Sequence, residues 1–157
     1  MGILNDKAGN TTEAITFYEE SLKLETDTYR KAEIMYKIAS RLKKRGLKSQ
    51  ARNYANQALS NKPSMGKAYI LIAGLYAGSA NDCGNNQFEK QSVYWLAAQM
   101  ARRAASVDPS LKKTSQKLEA SYSGRAPSKT DIFTQGKAGE VVTFDCWIRS
   151  SVTVPNL

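Results

Sequence analysis

The feature that most limits how this chain can fold is a helical hairpin that recurs along it. In the stretch AEIMYKIASRLKKRGLKSQARNYANQALSNKP, residues 32–63, Met35, Ile38, Ala39 and Leu42 stand at i, i+3, i+4 and i+7. That spacing is one stripe of an α-helix. Ala51, Tyr54, Ala55, Ala58 and Leu59 repeat it and add i+8. Gly46 follows a Lys/Arg-rich helix end, where a residue free to take positive φ stops a helix, and Pro63 closes the unit. Ala39, Ala51, Ala55 and Ala58 let two backbones approach closely. One such hairpin cannot bury its own apolar face, so neighbours are required.

The neighbours are present. Tyr69, Ile72, Ala73 and Tyr76 repeat the first stripe 34 positions on, and Ala97, Ala101, Ala104 and Pro109 repeat the second 46 positions on. The difference, 46 − 34, places a 12-residue insertion between the helices of the second unit. Backwards by 37, Gly9, Ala14, Phe17, Tyr18 and Leu22 answer to Gly46, Ala51, Tyr54, Ala55 and Leu59. A period near 34 with small residues at helix contacts is the signature of a helical solenoid.

At this point the chain resembles the tetratricopeptide-repeat (TPR) family, whose pattern runs W-x2-L-G-x2-Y, then A-x3-F, A and P. Met35, Ile38, Ala39, Leu42, Ala51, Ala55, Ala58 and Pro63 fill those places over roughly residues 1–109, while the Trp and the first Gly of the pattern are replaced. The resemblance implies an all-α, right-handed helical-hairpin solenoid. Residues 1–122 would hold the repeats and a capping helix, and 123–157 a linker and β-hairpin packed on the last helices. Gly9 to Leu22 matches only the second helix of a repeat, so the chain reads as a fragment with further repeats upstream.

Local signals give the element limits. Thr11 or Thr12 is expected to cap a helix over 11–24, with Glu13 in its first turn. Thr28 would cap the unit over 31–61, and Ser64 a helix over 64–77. The run GSANDCGNNQFEKQ, 78–91, reads as a loop with at most one helical turn at its end, before a helix over 91–106. Ser110 would cap a polar helix over 111–122, whose few apolar residues are Leu111, Leu118 and Tyr122. After a linker containing Pro127, the period changes to alternation. Val141 to Ile148 suits one strand and Val152–Val154 a second, joined through Arg149-Ser150-Ser151. This tail resembles the C-terminal segment of some exported bacterial TPR proteins, through Pro127-Ser128-Lys129, Gly136 and Trp147-Ile148.

The absence of histidine removes Ser-His and Cys-His nucleophile pairs and the commonest transition-metal ligand. Glu19 and Glu20 lie about 100° apart around a helix and do not face one site. Neither phosphate-cradling glycine pattern occurs. No enzyme activity, cofactor or metal is expected, and NDCGNNQFE does not fit a calcium loop in any register. Asn10-Thr11-Thr12 fits a glycosylation sequon that arises often by chance. No stretch approaches the ~20 apolar residues of a membrane span, and the start MGILNDKAGN has neither a signal core nor a myristoylation motif.

Cys83 and Cys146 are the only thiols. They are either two unrelated small side chains or a disulfide tying the inserted loop to the terminal hairpin. A disulfide would favour an exported, periplasmic-type location, and reduced thiols a cytoplasmic one.

The family resemblance implies that the first helix of each repeat lines a concave, partner-binding face. Those positions are Glu33, Tyr36, Ser40, Lys43 and Lys44 in one unit, and Lys67, Ile70, Gly74 and Ala77 in the next. The family's Lys/Asn clamp on a C-terminal carboxylate does not carry over, because Tyr36 and Ser40 occupy its places and only Lys67 matches. A non-catalytic scaffold binding a peptide or protein segment of anionic or mixed charge is the leading expectation, with exposed Tyr beside Lys suiting an acidic partner. The net charge of +9 permits acidic-protein or nucleic-acid partners without choosing between them. The alternatives are nucleic acid bound by Lys43–Arg45, Lys48 and Arg52, or a purely structural, oligomerising module. The first predicts affinity that falls steeply with salt.

Overall fold

The computed structural model describes residues 10–157. Among them are seven α-helices: α1 (Thr11–Leu24), α2 (Thr28–Lys44), α3 (Lys48–Asn61), α4 (Gly66–Ala77), α5 (Gln87–Val107), α6 (Lys112–Ser123) and α7 (Lys129–Gln135). Two antiparallel strands follow, β1 (Val141–Phe144) and β2 (Ser150–Thr153), with Val142 opposite Val152 and Phe144 opposite Ser150. Gly9, the expected counterpart of Gly46, lies outside the described residues.

Most residues of the stripes read from the sequence lie in or against the core, but Phe17 is 39% exposed, on the outer side of α1. Ala39, Ala55, Ala73, Ala97 and Ala101 are wholly buried in one cluster with Ile38, Leu42 and Ile72. A smaller cluster gathers Ala32, Ala58, Met65 and Ala68. Along the chain α1 packs on α2, α2 on α3, α3 on α4, α4 on α5 and α5 on α6, and α2 also meets α4. Alanine at the crossings allows axes near the close end of the usual ~8–10 Å separation. Burial of a side chain such as Ile38 then contributes roughly 1.5–3 kcal/mol. Gly66 marks a close approach between α4 and the end of α5. A Cβ there would lie 2.7 Å from Asp108 Cβ and 2.8 Å from the Ala104 carbonyl oxygen.

The turn after α2 behaves as read. Gly46 takes φ +74°, the Leu47 amide donates to the Leu42 carbonyl and the Gly46 amide to that of Lys43, each at 3.0 Å. These two bonds satisfy carbonyls that the helix end would leave bare.

Several expected limits are corrected. Asn10, not Thr11 or Thr12, caps α1 by accepting the Glu13 amide, and Asp27, not Thr28, caps α2 through the Arg30 amide. Ser64 caps nothing, since α4 starts after Met65 without a side-chain cap. Helix α5 begins at Gln87, before the expected 91, because Asn86 accepts the Glu89 amide and opens the helix inside the turn-former run. Asp108 rather than Ser110 organises the start of the α6 region, accepting the Ser110 amide ahead of a 3-10 turn at Pro109–Leu111.

The stretch read as a linker contains α7. Ser128 and Asp131 form a reciprocal capping box. Hydrogen bonds from the Ser128 hydroxyl and amide hold the Asp131 carboxyl below the usual carboxylate range. The first strand is shorter than expected. Cys146, Trp147 and Ile148 lie in the 145–149 turn, where Ile148 is buried and Trp147 reaches back to the helices. The inward faces of the hairpin, Val142, Phe144, Val152 and Val154, are buried, and both strands pack on α5.

Candidate functional site: the groove between α2 and α4

Helices α2 and α4 carry stripes that recur 34 positions apart in the sequence, and their contact places those positions side by side. Tyr36, Ser40, Lys43 and Lys44 from α2, with Ile70 and Leu71 from α4, line one groove of about 440 Å³. Five of the nine expected partner-facing residues therefore share it: Tyr36, Ser40, Lys43, Lys44 and Ile70. Glu33 and Lys67 stand at its rim, beside Tyr36. Lys67 donates to the Glu33 carboxylate, and its ammonium lies 4.6 Å from the centre of the Tyr36 ring. Lys62 adds a second cation 3.8 Å from Glu33. Glu33 is thus neutralised within the chain and holds Lys67 over Tyr36. Leu71, only 5% exposed, supplies apolar wall that the sequence reading did not single out.

Lys43 differs from Lys67. Its ammonium lies over Gly74, 2.5 Å from where a Cβ would stand, and no carboxylate pairs with it among the described residues. Partial loss of water lowers its pKa from the ordinary lysine value. A cation kept short of water beside apolar wall gains most from an incoming anion.

Two of the five basic residues offered for nucleic acid, Arg52 and Lys48, are committed elsewhere. Arg52 donates to the carbonyls of Ile148 at 2.6 Å and Trp147 at 3.3 Å, and its guanidinium lies 5.0 Å from the Trp147 ring centre. Lys48 donates to the Gly78 carbonyl and faces Asp82 at 3.7 Å. Their neighbours complete a joint that fastens the tail. The Trp147 indole donates to Ser79 Oγ at 2.9 Å, and Cys83 and Cys146 form a disulfide with Cα atoms 5.3 Å apart. An isolated two-stranded hairpin is marginal in water, and these ties with α5 hold it. Sequence reasoning missed Arg52 here, because its bonds span 95 and 96 residues. No local signal marks such a pairing.

No group of three or more metal-ligating side chains occurs among the described residues. No helix among them is long and apolar enough to cross a membrane. No protein-family model and no curated protein matches this chain.

Proposed function

We propose that the chain is a non-catalytic protein-interaction module, a TPR-like stack of helical hairpins that takes an extended or helical segment of another protein in the α2–α4 groove. The observation that carries this reading is the convergence of Tyr36, Ser40, Lys43 and Ile70 on one open groove with an unpaired ammonium beside apolar wall. Tyr36 offers contact area at small entropic cost, and Lys43 favours an acidic side chain. The disulfide supports placing the protein in an exported, oxidising compartment.

Selection of random displayed peptides on the immobilised protein tests this. Acidic residues beside an apolar or aromatic residue should be enriched, and Tyr36→Ala with Lys43→Glu should abolish the enrichment while circular dichroism is unchanged. Recovery of the same peptides by the variant overturns the reading. An acidic peptide seated there also raises the lowered Lys43 pKa, which titration of the Lys43 Cε signal reads directly.

A further inference from the structure

Strand β2 is hydrogen-bonded on one side only, in a two-stranded sheet. The Val154 amide donates to the Glu140 carbonyl at 2.8 Å, and the Gly139 amide donates to the Val154 carbonyl at 3.1 Å. Val154 therefore spends its backbone groups on the β1 side. Antiparallel ladders alternate, so Val152 and Ser150 do the same, while Thr153 and Ser151 turn their N–H and C=O groups outward. Those outward groups have no backbone partner among the described residues.

That bare edge borders a second groove, of about 540 Å³, on a side of the molecule built by α3 and α5. Ser150 and Ser151 form one wall, and no β1 residue contributes. Leu59 from α3, Ile72 from α4, and Leu96 and Met100 from α5 give it apolar surface. Arg103 stands in the same lining, which contains no Asp or Glu. No carboxylate pairs with the Arg103 guanidinium among the described residues; the neighbouring Arg102 is the one bound to Glu119.

We propose that this groove is a second binding site, which takes an extended peptide segment by strand addition to β2. The peptide's backbone pairs with Ser151 and Thr153. Its alternate side chains fall on Leu59, Leu96 and Met100, and an acidic side chain meets Arg103. Charge selects this occupant over a second copy of the chain, since two molecules of net charge +9 repel while an acidic segment is attracted. The assignment is independent of the α2–α4 groove, with which it shares no residue.

The test uses random end-capped peptides selected on the full chain, followed by amide hydrogen exchange on the bound complex. Expected are peptides with β-branched residues at alternate positions and one Asp or Glu, and slowed exchange of the Ser151 and Thr153 amides. Arg103→Glu, an exposed change, should weaken these peptides about tenfold or more, and so should N-methylation of alternate peptide amides, which removes the pairing donors. Tyr36→Ala should leave them unaffected. The proposal is overturned if no peptide slows those amides, if N-methylated peptides bind equally well, or if the amides slow with protein concentration alone, which would mark self-pairing. Peptides lost with Tyr36→Ala but indifferent to Arg103→Glu belong to the other groove, so the two readings fail separately.

Discussion

The two helical hairpins that repeat one another are joined very differently. Between α2 and α3 the chain turns in three residues, Arg45 to Leu47, around a glycine at positive φ. Between α4 and α5 it takes nine, residues 78–86, and α5 runs 21 residues against 14 for α3. The short joint closes on itself with backbone bonds. The long one carries Ser79, Asp82 and Cys83, and all three are used: Ser79 receives Trp147, Cys83 is bonded to Cys146, and Asp82 faces Lys48. An insertion in a repeat can thus be the receptor for a distant part of the same chain, and the repeat that lacks it needs no such partner.

Breaking the long joint should have the largest effect. Cys83→Ser with Cys146→Ser opens a crosslink spanning 63 residues, whose loop entropy corresponds to about 4 kcal/mol. Denaturant unfolding should show a loss near that size, and amide exchange at Val142 and Phe144 should quicken while α2 and α3 keep their protection. Uniform loss across both hairpins would show that the two joints do not act separately. Arg52→Ala comes next. It removes two charge-assisted bonds to the Trp147 and Ile148 carbonyls and the stacking on Trp147, and should cost about 2–3 kcal/mol by thermal unfolding.

In the short joint, Gly46→Ala forces a side chain into left-handed backbone and should cost about 1–2 kcal/mol. Space is not the issue, as nothing lies within 4 Å of the added Cβ. The smallest change should go the other way. Among the described residues Arg149 is the non-glycine residue at positive φ, 45°, in the hairpin turn. Arg149→Gly should raise the denaturation midpoint by an amount equivalent to about 1 kcal/mol or less. A lowered midpoint would mean that the arginine side chain itself holds the turn.

What could be read from the sequence was periodic and local. Ala39, Ala55, Ala73 and Ala101 sit on 3.6-residue stripes, and each is buried. The α2–α4 groove was legible for the same reason, since equivalent positions in successive first helices become neighbours, as Glu33 and Lys67 do. Caps slipped by one residue where Asn, Asp, Ser and Thr stand next to one another, because each can accept an amide bond and only the backbone decides. Helix α7 is too short for a period to show, leaving the Ser128–Asp131 spacing as its one signal. Trp147 and Ile148 prolonged the apparent strand because burial in a turn and burial in a strand look alike in one dimension. The second groove was invisible, for its walls come from α3, α4, α5 and β2.

The crosslink also alters what cutting the chain means. Residues 84–145 form a covalent loop closed by Cys83–Cys146, with exposed Arg125, Lys129 and Gly136 along it. A protease that cleaves within that loop leaves both products tethered, so the nicked molecule migrates as one species until a reductant is added. Damage on this stretch would leave the two halves joined, and the integrity of the nicked molecule would pass from the backbone to the sulfur bridge.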